Sequence, residues 1–205
     1  MRDMLEIYFI AGTQDVPKDK LLPILETSLQ SGITCYQFRE KELMNPDEIE
    51  LLAKACQKLC HKYSVPFFIN DDVALALKIG ADGIHVGQDD MAILDVIASC
   101  AGKMKIGLSV NTLQQAKNAT MYEELDYIGV GPIFETSSKA DAKPVTGLEL
   151  LRAIRQSGIT LPMVAIGGIT SGHIKEIRKA GAQGVAVISA ITCSENIVQT
   201  VAEFK

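Results

Sequence analysis

Short apolar runs alternate with helix-like stretches along almost the whole chain, and this alternation restricts the fold more than any other feature. Eight of these runs are rich in branched apolar residues and have the length of buried strands. Apolar strands joined by crossover helices form parallel sheets, and eight such units close naturally into a barrel. We therefore expect an α/β fold with a single-domain (β/α)8 barrel over residues 1–205. A doubly wound open sheet is the alternative, although no GxGxxG motif follows the first run. The eight runs occupy residues 6–10, 34–38, 67–69, 83–86, 105–109, 127–130, 163–166 and 184–188.

The composition excludes several other classes of protein. A net charge of −5 gives no basic surface for nucleic acid, and no run of 18 apolar residues is present to span a bilayer. Five cysteines without CxxC spacing suit a reducing compartment, so we expect a cytoplasmic protein. Three histidines without an HExxH motif give little support for a zinc site. The expected partners are small molecules, and the sequence leaves open whether the chain forms a homo-oligomer.

Two acidic clusters follow neighbouring strands. Asn70-Asp71-Asp72 comes after the third run, and Gln88-Asp89-Asp90 comes after the fourth. If these strands are parallel neighbours joined by a right-handed crossover, both clusters lie at the same edge of the sheet. Carboxylates held close together raise each other's pKa unless a cation neutralises them, and Mg²⁺ takes one or two carboxylates together with phosphate oxygens. The clusters therefore indicate a metal-assisted phosphate site, with capping of the following helices as the alternative.

Polar residues at other strand ends extend this candidate site, because barrel enzymes carry their chemistry at the C-terminal ends of the strands. After the second run, alternation places Gln37, Arg39 and Lys41 on one side and directs two cations toward the barrel mouth. A solvated charged loop explains this run equally well. Ser109 follows the fifth run as a phosphate ligand or a helix cap. His85 lies inside the fourth run, where we expect it to be packed and hydrogen-bonded.

Three loops on the other side of the barrel carry groups that suit a phosphate. The loop after the sixth run is the longest, at residues 131–146, and offers hydroxyls and a positive charge. The loops after the seventh and eighth runs form the usual phosphate-binding position of such barrels, although Gly168 also fits a plain tight turn. The candidates are Thr136, Ser137, Ser138, Lys139, Gly168, Ile188 and Ser189.

Seven motifs in order, QFREK, FINDD, GADGIHVGQDD, GLSV, DYIGVGPIFETSSKADA, AIGGI and VAVISAI, closely resemble the thiamine phosphate synthase family. The resemblance implies a Mg²⁺-dependent barrel transferase of thiamine biosynthesis. Such an enzyme joins 4-amino-2-methyl-5-(diphosphooxymethyl)pyrimidine to 4-methyl-5-(2-phosphooxyethyl)thiazole, releasing diphosphate and forming thiamine phosphate. The electron-rich pyrimidine can lose diphosphate first. A dissociative mechanism then needs charge stabilisation and positioning, but no protein nucleophile.

Carried over motif by motif, the resemblance also implies residue roles. Asp71 and Asp90 would hold Mg²⁺, which leaves Asp72 and Asp89 to cap helices or to support the metal ligands. The pyrimidine diphosphate would contact Gln37, Phe38, Arg39, Glu40, Lys41, Asn70, Ser109 and Lys139. The thiazole phosphate would contact Thr136, Ser137, Ser138, Gly168, Ile188 and Ser189. The catalytic set would be Arg39, Lys41, Ser109 and Lys139. One departure from the family pattern is Ser138, where a threonine is common; the hydroxyl is kept.

Three alternatives remain at the level of the sequence. A thiazole tautomerase resembles the synthases, but its catalytic histidine would fall near Pro132, and proline cannot transfer protons. A non-catalytic barrel that binds the thiazole phosphate would not need the metal and diphosphate residues. An unrelated phosphosugar isomerase or lyase would need a positioned base and no diphosphate clamp.

Overall fold

The computed structural model describes residues 3–138 and 143–205, and its eight strands form one closed parallel barrel. Each strand pairs with the next in the chain, and the last pairs with the first. The predicted (β/α)8 barrel is confirmed, and the open-sheet alternative is wrong. The strands are β1 (Ile7–Ala11), β2 (Cys35–Phe38), β3 (Phe67–Asn70), β4 (Gly83–Val86), β5 (Lys105–Val110), β6 (Tyr127–Val130), β7 (Met163–Ile166) and β8 (Gly184–Val187).

Helices connect the strands around the outside of the barrel. The segment after β7 is divided into a short 3-10 helix, Ser171–His173, and a following α-helix. A four-residue helix after β8 was not predicted, because a single turn has no readable period. The α-helices are α1 (Lys18–Ser31), α2 (Pro46–Lys62), α3 (Val73–Ile79), α4 (Ile93–Cys100), α5 (Leu113–Ala119), α6 (Gly147–Gln156), α7 (Ile174–Lys179), α8 (Ser189–Thr192) and α9 (Ile197–Glu203). None of the helices in residues 3–138 and 143–205 is long and apolar enough to cross a membrane.

Aromatic rings fill the barrel interior beneath the C-terminal mouth. The rings of Tyr8, Phe68 and Tyr127 contact one another with centroids 5.9 Å apart in every pair. Glycines on adjacent strands make room for them, since a Cβ at Gly83 would lie 2.1 Å from Phe68 and one at Gly107 would lie 2.3 Å from Tyr127. This layer forms a floor, and the polar side chains that end the strands lie above it. The larger apolar core lies between the strands and the helices.

Candidate active site

A cavity of about 220 Å³ opens at the C-terminal mouth of the barrel, and it brings most of the predicted site residues together. Side chains from β2 to β5 line one side, and the loops after β6, β7 and β8 line the other. The predicted residues on its wall are Arg39, Lys41, Asn70, Asp71, Asp90, Ser109, Thr136, Ser138, Gly168, Ile188 and Ser189. Lys139 lies outside the described residues.

Asp71 lies at the centre of the charged side. Its Oδ2 accepts a hydrogen bond from Lys41 Nζ at 2.9 Å and another from Asn70 Nδ2 at 2.5 Å. Its backbone has φ of 62°, in the left-handed region that aspartate tolerates better than most residues. The amide of Asp71 donates to the carbonyl of His85 at 2.9 Å, which ties the end of β3 to β4. The strained backbone thus directs the carboxylate into the cavity, where a lysine approaches it.

Asp90 comes from the next loop and lies beside Asp71. Its Oδ2 accepts a hydrogen bond from the amide of Gly87 at 2.7 Å, which fixes the turn after β4. Burial raises the pKa of Asp90, and the neighbouring Asp71 carboxylate raises it further, while Lys41 lowers it. Two neighbouring carboxylates are a donor set that suits a hard cation. No group of three or more His, Cys, Asp or Glu side chains that could hold a metal ion occurs in the described parts of the chain.

The other two aspartates of these clusters have separate roles. Asp72 caps α3, because its Oδ1 accepts a hydrogen bond from the amide of Leu75 at 2.8 Å. Capping is therefore confirmed for Asp72. It is wrong for Asp89, because α4 begins after Ala92 and the Asp89 carboxylate pairs with Lys143 Nζ at 2.8 Å. The two clusters thus place three aspartates on the cavity wall, of which Asp89 is paired with Lys143, whereas Asp72 caps a helix.

The loop after β2 is held in place by the loop after β1. Gln14 bridges the two loops: its Nε2 donates to the carbonyl of Arg39 at 2.7 Å, and its Oε1 accepts from the amide of Lys41 at 2.9 Å. The carboxylate of Glu40 accepts from the amide of Thr13 at 3.0 Å and from its hydroxyl at 2.8 Å. Glu40 therefore faces the loop rather than the cavity wall. Sequence reasoning missed Gln14, although its position directly after the first strand is a signal that could have found it.

Two predicted contact residues on β2 do not reach the cavity. Gln37 points into the barrel interior with 1% exposure and donates to the hydroxyl of Tyr8. Phe38 is 2% exposed and packs in the core between the strands and the helices. Alternation correctly places Gln37 on the same side as Arg39, but it gives no depth along the barrel axis. Neither Gln37 nor Phe38 lines the cavity.

The opposite side of the cavity is built largely from backbone. Gly167 and Gly168 have φ of 101° and 61°, values that favour glycine. A Cβ at Gly167 would lie 2.5 Å from Cβ of Pro132, and one at Gly168 would lie 2.2 Å from the carbonyl oxygen of Glu135. Within the described residues, the amide N–H of Gly168 has no hydrogen-bond partner. The turn therefore needs glycine for its shape, and its amide N–H can donate a hydrogen bond to an anion.

The loop after β6 has three predicted hydroxyl residues, Thr136, Ser137 and Ser138, and two of them lie on this wall. Thr136 and Ser138 line the cavity, and the Thr136 hydroxyl accepts a hydrogen bond from the amide of Ser138 at 3.2 Å. Ser137 is exposed and is not part of the wall. Ser138, the departure from the family pattern, thus keeps its hydroxyl at the cavity.

Ser109 and His85 form the bottom of the cavity. The Nε2 of His85 lies 2.8 Å from Oγ of Ser109, and its Nδ1 lies 3.0 Å from the hydroxyl of Tyr127. The expectation that His85 is packed and hydrogen-bonded is confirmed, since it is 9% exposed, yet its ring also lines the cavity. Its position inside a strand concealed this, because only strand ends were considered as site positions. Gln88 and Lys143 also line the cavity without having been predicted.

Comparisons with known proteins agree with this geometry. The family model for thiamine monophosphate synthase matches residues 7–191. The thiamine-phosphate synthase of Listeria monocytogenes serovar 1/2a is 57% identical, with 100% of this chain and 97% of that protein covered. The thiamine-phosphate synthase of Pasteurella multocida is 55% identical, with coverage of 97% and 94%. Among solved structures, thiamine phosphate pyrophosphorylase from Pyrococcus furiosus matches with a TM-score of 0.86 and 33% identity, covering 99% of this chain and 95% of that one.

Proposed function

Because the chain belongs to the thiamine monophosphate synthase family and is a transferase that forms thiamine phosphate, we propose that the two sides of its cavity bind two different phosphorylated substrates. The reaction condenses 4-amino-2-methyl-5-(diphosphooxymethyl)pyrimidine with 4-methyl-5-(2-phosphooxyethyl)thiazole and releases diphosphate. The observation that carries the assignment of sides is the convergence of Arg39 and Lys41 with the carboxylates of Asp71 and Asp90 on the β2–β4 side of the cavity. The opposite side carries glycine backbone and hydroxyls.

The charged side is proposed to hold the diphosphate. Arg39 and Lys41 supply positive charge where the leaving group gains negative charge, and such preorganised charge is effective in a partly closed cavity. Asp71 and Asp90 would hold Mg²⁺, which when bound would neutralise charge on the diphosphate oxygens. Asn70 orients Asp71 through its short hydrogen bond. Glu40 and Gln37 support this side from the loop and from the interior, without direct contact with the cavity.

The backbone side is proposed to hold the thiazole phosphate. Gly168 offers an amide donor, and Thr136, Ser138 and Ser189 add hydroxyls along the same wall. Anchoring the phosphate there would hold the thiazole nitrogen at a fixed distance from the pyrimidine methylene group. Such positioning replaces a bimolecular encounter by an effectively unimolecular step. Ser109, at the bottom between the two sides, is proposed to contact the pyrimidine diphosphate.

A dissociative order of events suits these residues. The described cavity wall contains no cysteine, and His85 is already hydrogen-bonded to Ser109 and Tyr127. Bond breaking to diphosphate can therefore come first, with the positive charge delocalised into the aminopyrimidine and the thiazole nitrogen attacking afterwards. The tautomerase alternative is not favoured, because the full-length relatives are synthases and Pro132 lies in the cavity wall.

The experiment that tests the proposal is product formation from the two named substrates, with Mg²⁺ and with a chelator, followed by mass spectrometry. Thiamine phosphate with Mg²⁺ and none with chelator supports the two-carboxylate metal site. Equal product under both conditions removes the metal from the proposal. Tight binding of the thiazole phosphate with no product under either condition favours a tautomerase or a binding protein.

The proposal also includes the cellular location and the oligomeric state of the protein. All five cysteines are free thiols, which suits a reducing cytoplasm. Cell fractionation with an antibody to the chain tests the location. Light scattering of the purified protein tests whether copies associate into a homo-oligomer.

A further inference from the structure

A chain of four hydrogen bonds connects the barrel interior to the cavity. The amide Nε2 of Gln37 donates to the hydroxyl of Tyr8 at 2.8 Å, and that hydroxyl lies 2.8 Å from the hydroxyl of Tyr127. The hydroxyl of Tyr127 lies 3.0 Å from Nδ1 of His85, whose Nε2 lies 2.8 Å from Oγ of Ser109. His85 and Ser109 line the cavity, whereas the other three lie beneath it with at most 1% exposure. The chain therefore joins buried groups to a residue at the substrate site.

The direction of each bond follows from counting hydrogens. An amide nitrogen donates and does not accept, so the single hydrogen of Tyr8 is directed to Tyr127 rather than back to Gln37. The hydrogen of Tyr127 is then directed to Nδ1 of His85, which must carry a lone pair. A neutral imidazole with a lone pair on Nδ1 has its hydrogen on Nε2. That N–H donates to Ser109, and the hydroxyl hydrogen of Ser109 is left to point at a ligand in the cavity.

The surroundings favour this arrangement. Burial raises the pKa of both Tyr8 and Tyr127 well above the usual value, so each hydroxyl keeps its hydrogen at neutral pH. The thiol of Cys35 also lies next to the Tyr8 hydroxyl, but sulfur is a weak acceptor and the oxygen of Tyr127 is the better partner. The orientation of the Gln37 amide is thus transmitted through four bonds.

We propose that Tyr8 and Tyr127 are positioning residues for the transferase reaction. They hold His85 in the Nε2–H tautomer and so make the Ser109 hydroxyl a hydrogen-bond donor to the substrate. This inference rests on the proposed contact between Ser109 and the pyrimidine diphosphate. A donor suits a diphosphate oxygen that gains negative charge as its bond to carbon breaks. With the opposite polarity, Ser109 would donate its hydrogen to His85 and offer only lone pairs to the substrate.

The tautomer can be measured directly by ¹⁵N NMR of protein labelled on the imidazole nitrogens, with His85→Gln used to assign the signals. We expect a hydrogen-bearing Nε2 and a bare Nδ1 in the unsubstituted protein, and a mixture of tautomers in Tyr127→Phe. A hydrogen on Nδ1 in the unsubstituted protein would overturn the proposal. This readout needs no turnover, so it separates a failure of this inference from a failure of the proposed function.

Kinetics supply the second test. We expect Tyr127→Phe to lower kcat/KM about tenfold, and Ser109→Ala to lower it by roughly 10- to 100-fold, as loss of a hydrogen bond to a charged group does. The double variant should be no worse than Ser109→Ala alone, because the tyrosine acts through the serine. Losses that multiply in the double variant would overturn the proposal.

Tyr36→Phe is the matched control. Tyr36 is also fully buried, and its hydroxyl donates to the carbonyl of Ala11 at 3.0 Å, outside the chain of bonds. It should lose stability like the other phenylalanine variants while leaving the His85 tautomer unchanged. If Tyr127→Phe fails to fold, Tyr8→Phe takes its place, since it removes the hydrogen that orients Tyr127 but keeps the contact with His85. An unchanged tautomer in folded Tyr8→Phe would contradict the proposed direction of the bonds.

Discussion

The two sides of the cavity are built from different kinds of group. On the β2–β4 side the wall carries charged side chains, Arg39, Lys41, Asp71 and Asp90, and hydrogen bonds with neighbouring residues hold the two aspartates in place. On the β6–β8 side the wall is mainly backbone, and the Gly168 turn has a shape that only glycine adopts without strain. The chemistry of the first side depends on the identity of its charged side chains. The shape of the second side depends on glycine positions that carry no side chain. Loss of a charge should therefore break the first side, and gain of a Cβ should break the second.

The largest effect is expected on the charged side, from Asp71→Ala or Asp90→Ala. Each should lower Mg²⁺-dependent turnover about a hundredfold or more, because the cation would lose one of two carboxylate ligands. Turnover measured across a Mg²⁺ titration checks this. Asp72→Ala is the adjacent control and should lower stability by about 1 kcal/mol through loss of the helix cap, with turnover retained. Asp89→Ala removes an exposed ion pair and should be mild. Similar losses in all four variants would remove the distinction between metal ligands and structural aspartates.

The next effect separates the two substrates. Arg39→Ala should raise the KM for the pyrimidine diphosphate about 30-fold and leave the KM for the thiazole phosphate nearly unchanged, since it removes a charged partner from one side only. Initial rates with each substrate varied in turn measure both constants. Arg152→Ala, which removes an exposed arginine paired with Glu149, serves as the control for loss of one positive charge. A larger change in the thiazole phosphate KM would mean that the two sides are assigned the wrong way round.

The backbone side is tested by adding one methyl group. Gly168→Ala should raise the KM for the thiazole phosphate about tenfold, because the Cβ would approach the Glu135 carbonyl at 2.2 Å and displace the turn. Gly80→Ala is a close match, since Gly80 has φ of 64° but nothing within 4 Å of its Cβ, and it lies at the end of α3. Both variants carry the strain of the left-handed region, so a KM change in Gly168→Ala alone isolates the cavity effect. Equal kinetics in the two variants would contradict the role of this turn.

The smallest effect concerns the loop that carries the charged side. Burial by itself would raise the pKa of Glu40, but hydrogen bonds from Leu43, Glu42 and Thr13 outweigh it and lower the pKa below its usual value. Because the folded pKa is lower than the unfolded one, the carboxylate stabilises the fold above the unfolded pKa. That stability is lost as the pH falls through the folded pKa. Glu40→Gln should therefore lower Tm at neutral pH, with a difference from the unsubstituted protein that shrinks in acid.

Thermal melts over a pH series measure this difference. Glu149→Gln, at an exposed ion pair, gives the background expected for loss of a surface charge. A difference between Glu40→Gln and the unsubstituted protein that stays constant with pH would show that the carboxylate is not responsible.

The fold and the charged side could be predicted because both follow from periodicity and residue type. All eight strands occur within one or two residues of the predicted runs, and Asp71 and Asp90 meet as the parallel topology requires. The errors on this side are errors of depth. Gln37 and Glu40 carry suitable groups, but Gln37 is buried in the barrel interior beside Tyr8, and Glu40 turns back to the loop after β1. Alternation along a strand predicts which face of the sheet a side chain lies on, but not its position along the barrel axis.

The backbone side was harder to predict in detail. The Gly168 turn was located from its place in the barrel, yet its positive φ values accompany close contacts with Pro132 and Glu135 that are distant in sequence. His85 was judged correctly as packed, but its contact with Ser109 arises from two neighbouring strands and has no local signal. Contacts between strands are set by register, which the sequence of one strand does not specify.

In the barrel interior, aromatic side chains pack directly against glycines. This packing affects how the results of a mutational scan of this protein should be interpreted. A methyl group at Gly107 would lie 2.5 Å from the hydroxyl oxygen of Tyr127 and 2.6 Å from Nδ1 of His85. Gly107 will therefore tolerate no side chain while Tyr127 is present, although it touches no substrate in the proposed arrangement. Positions of this kind change only in concert with their partner. In a map of single substitutions, Gly107 will look as intolerant as a catalytic residue, and only paired substitutions will tell the two apart.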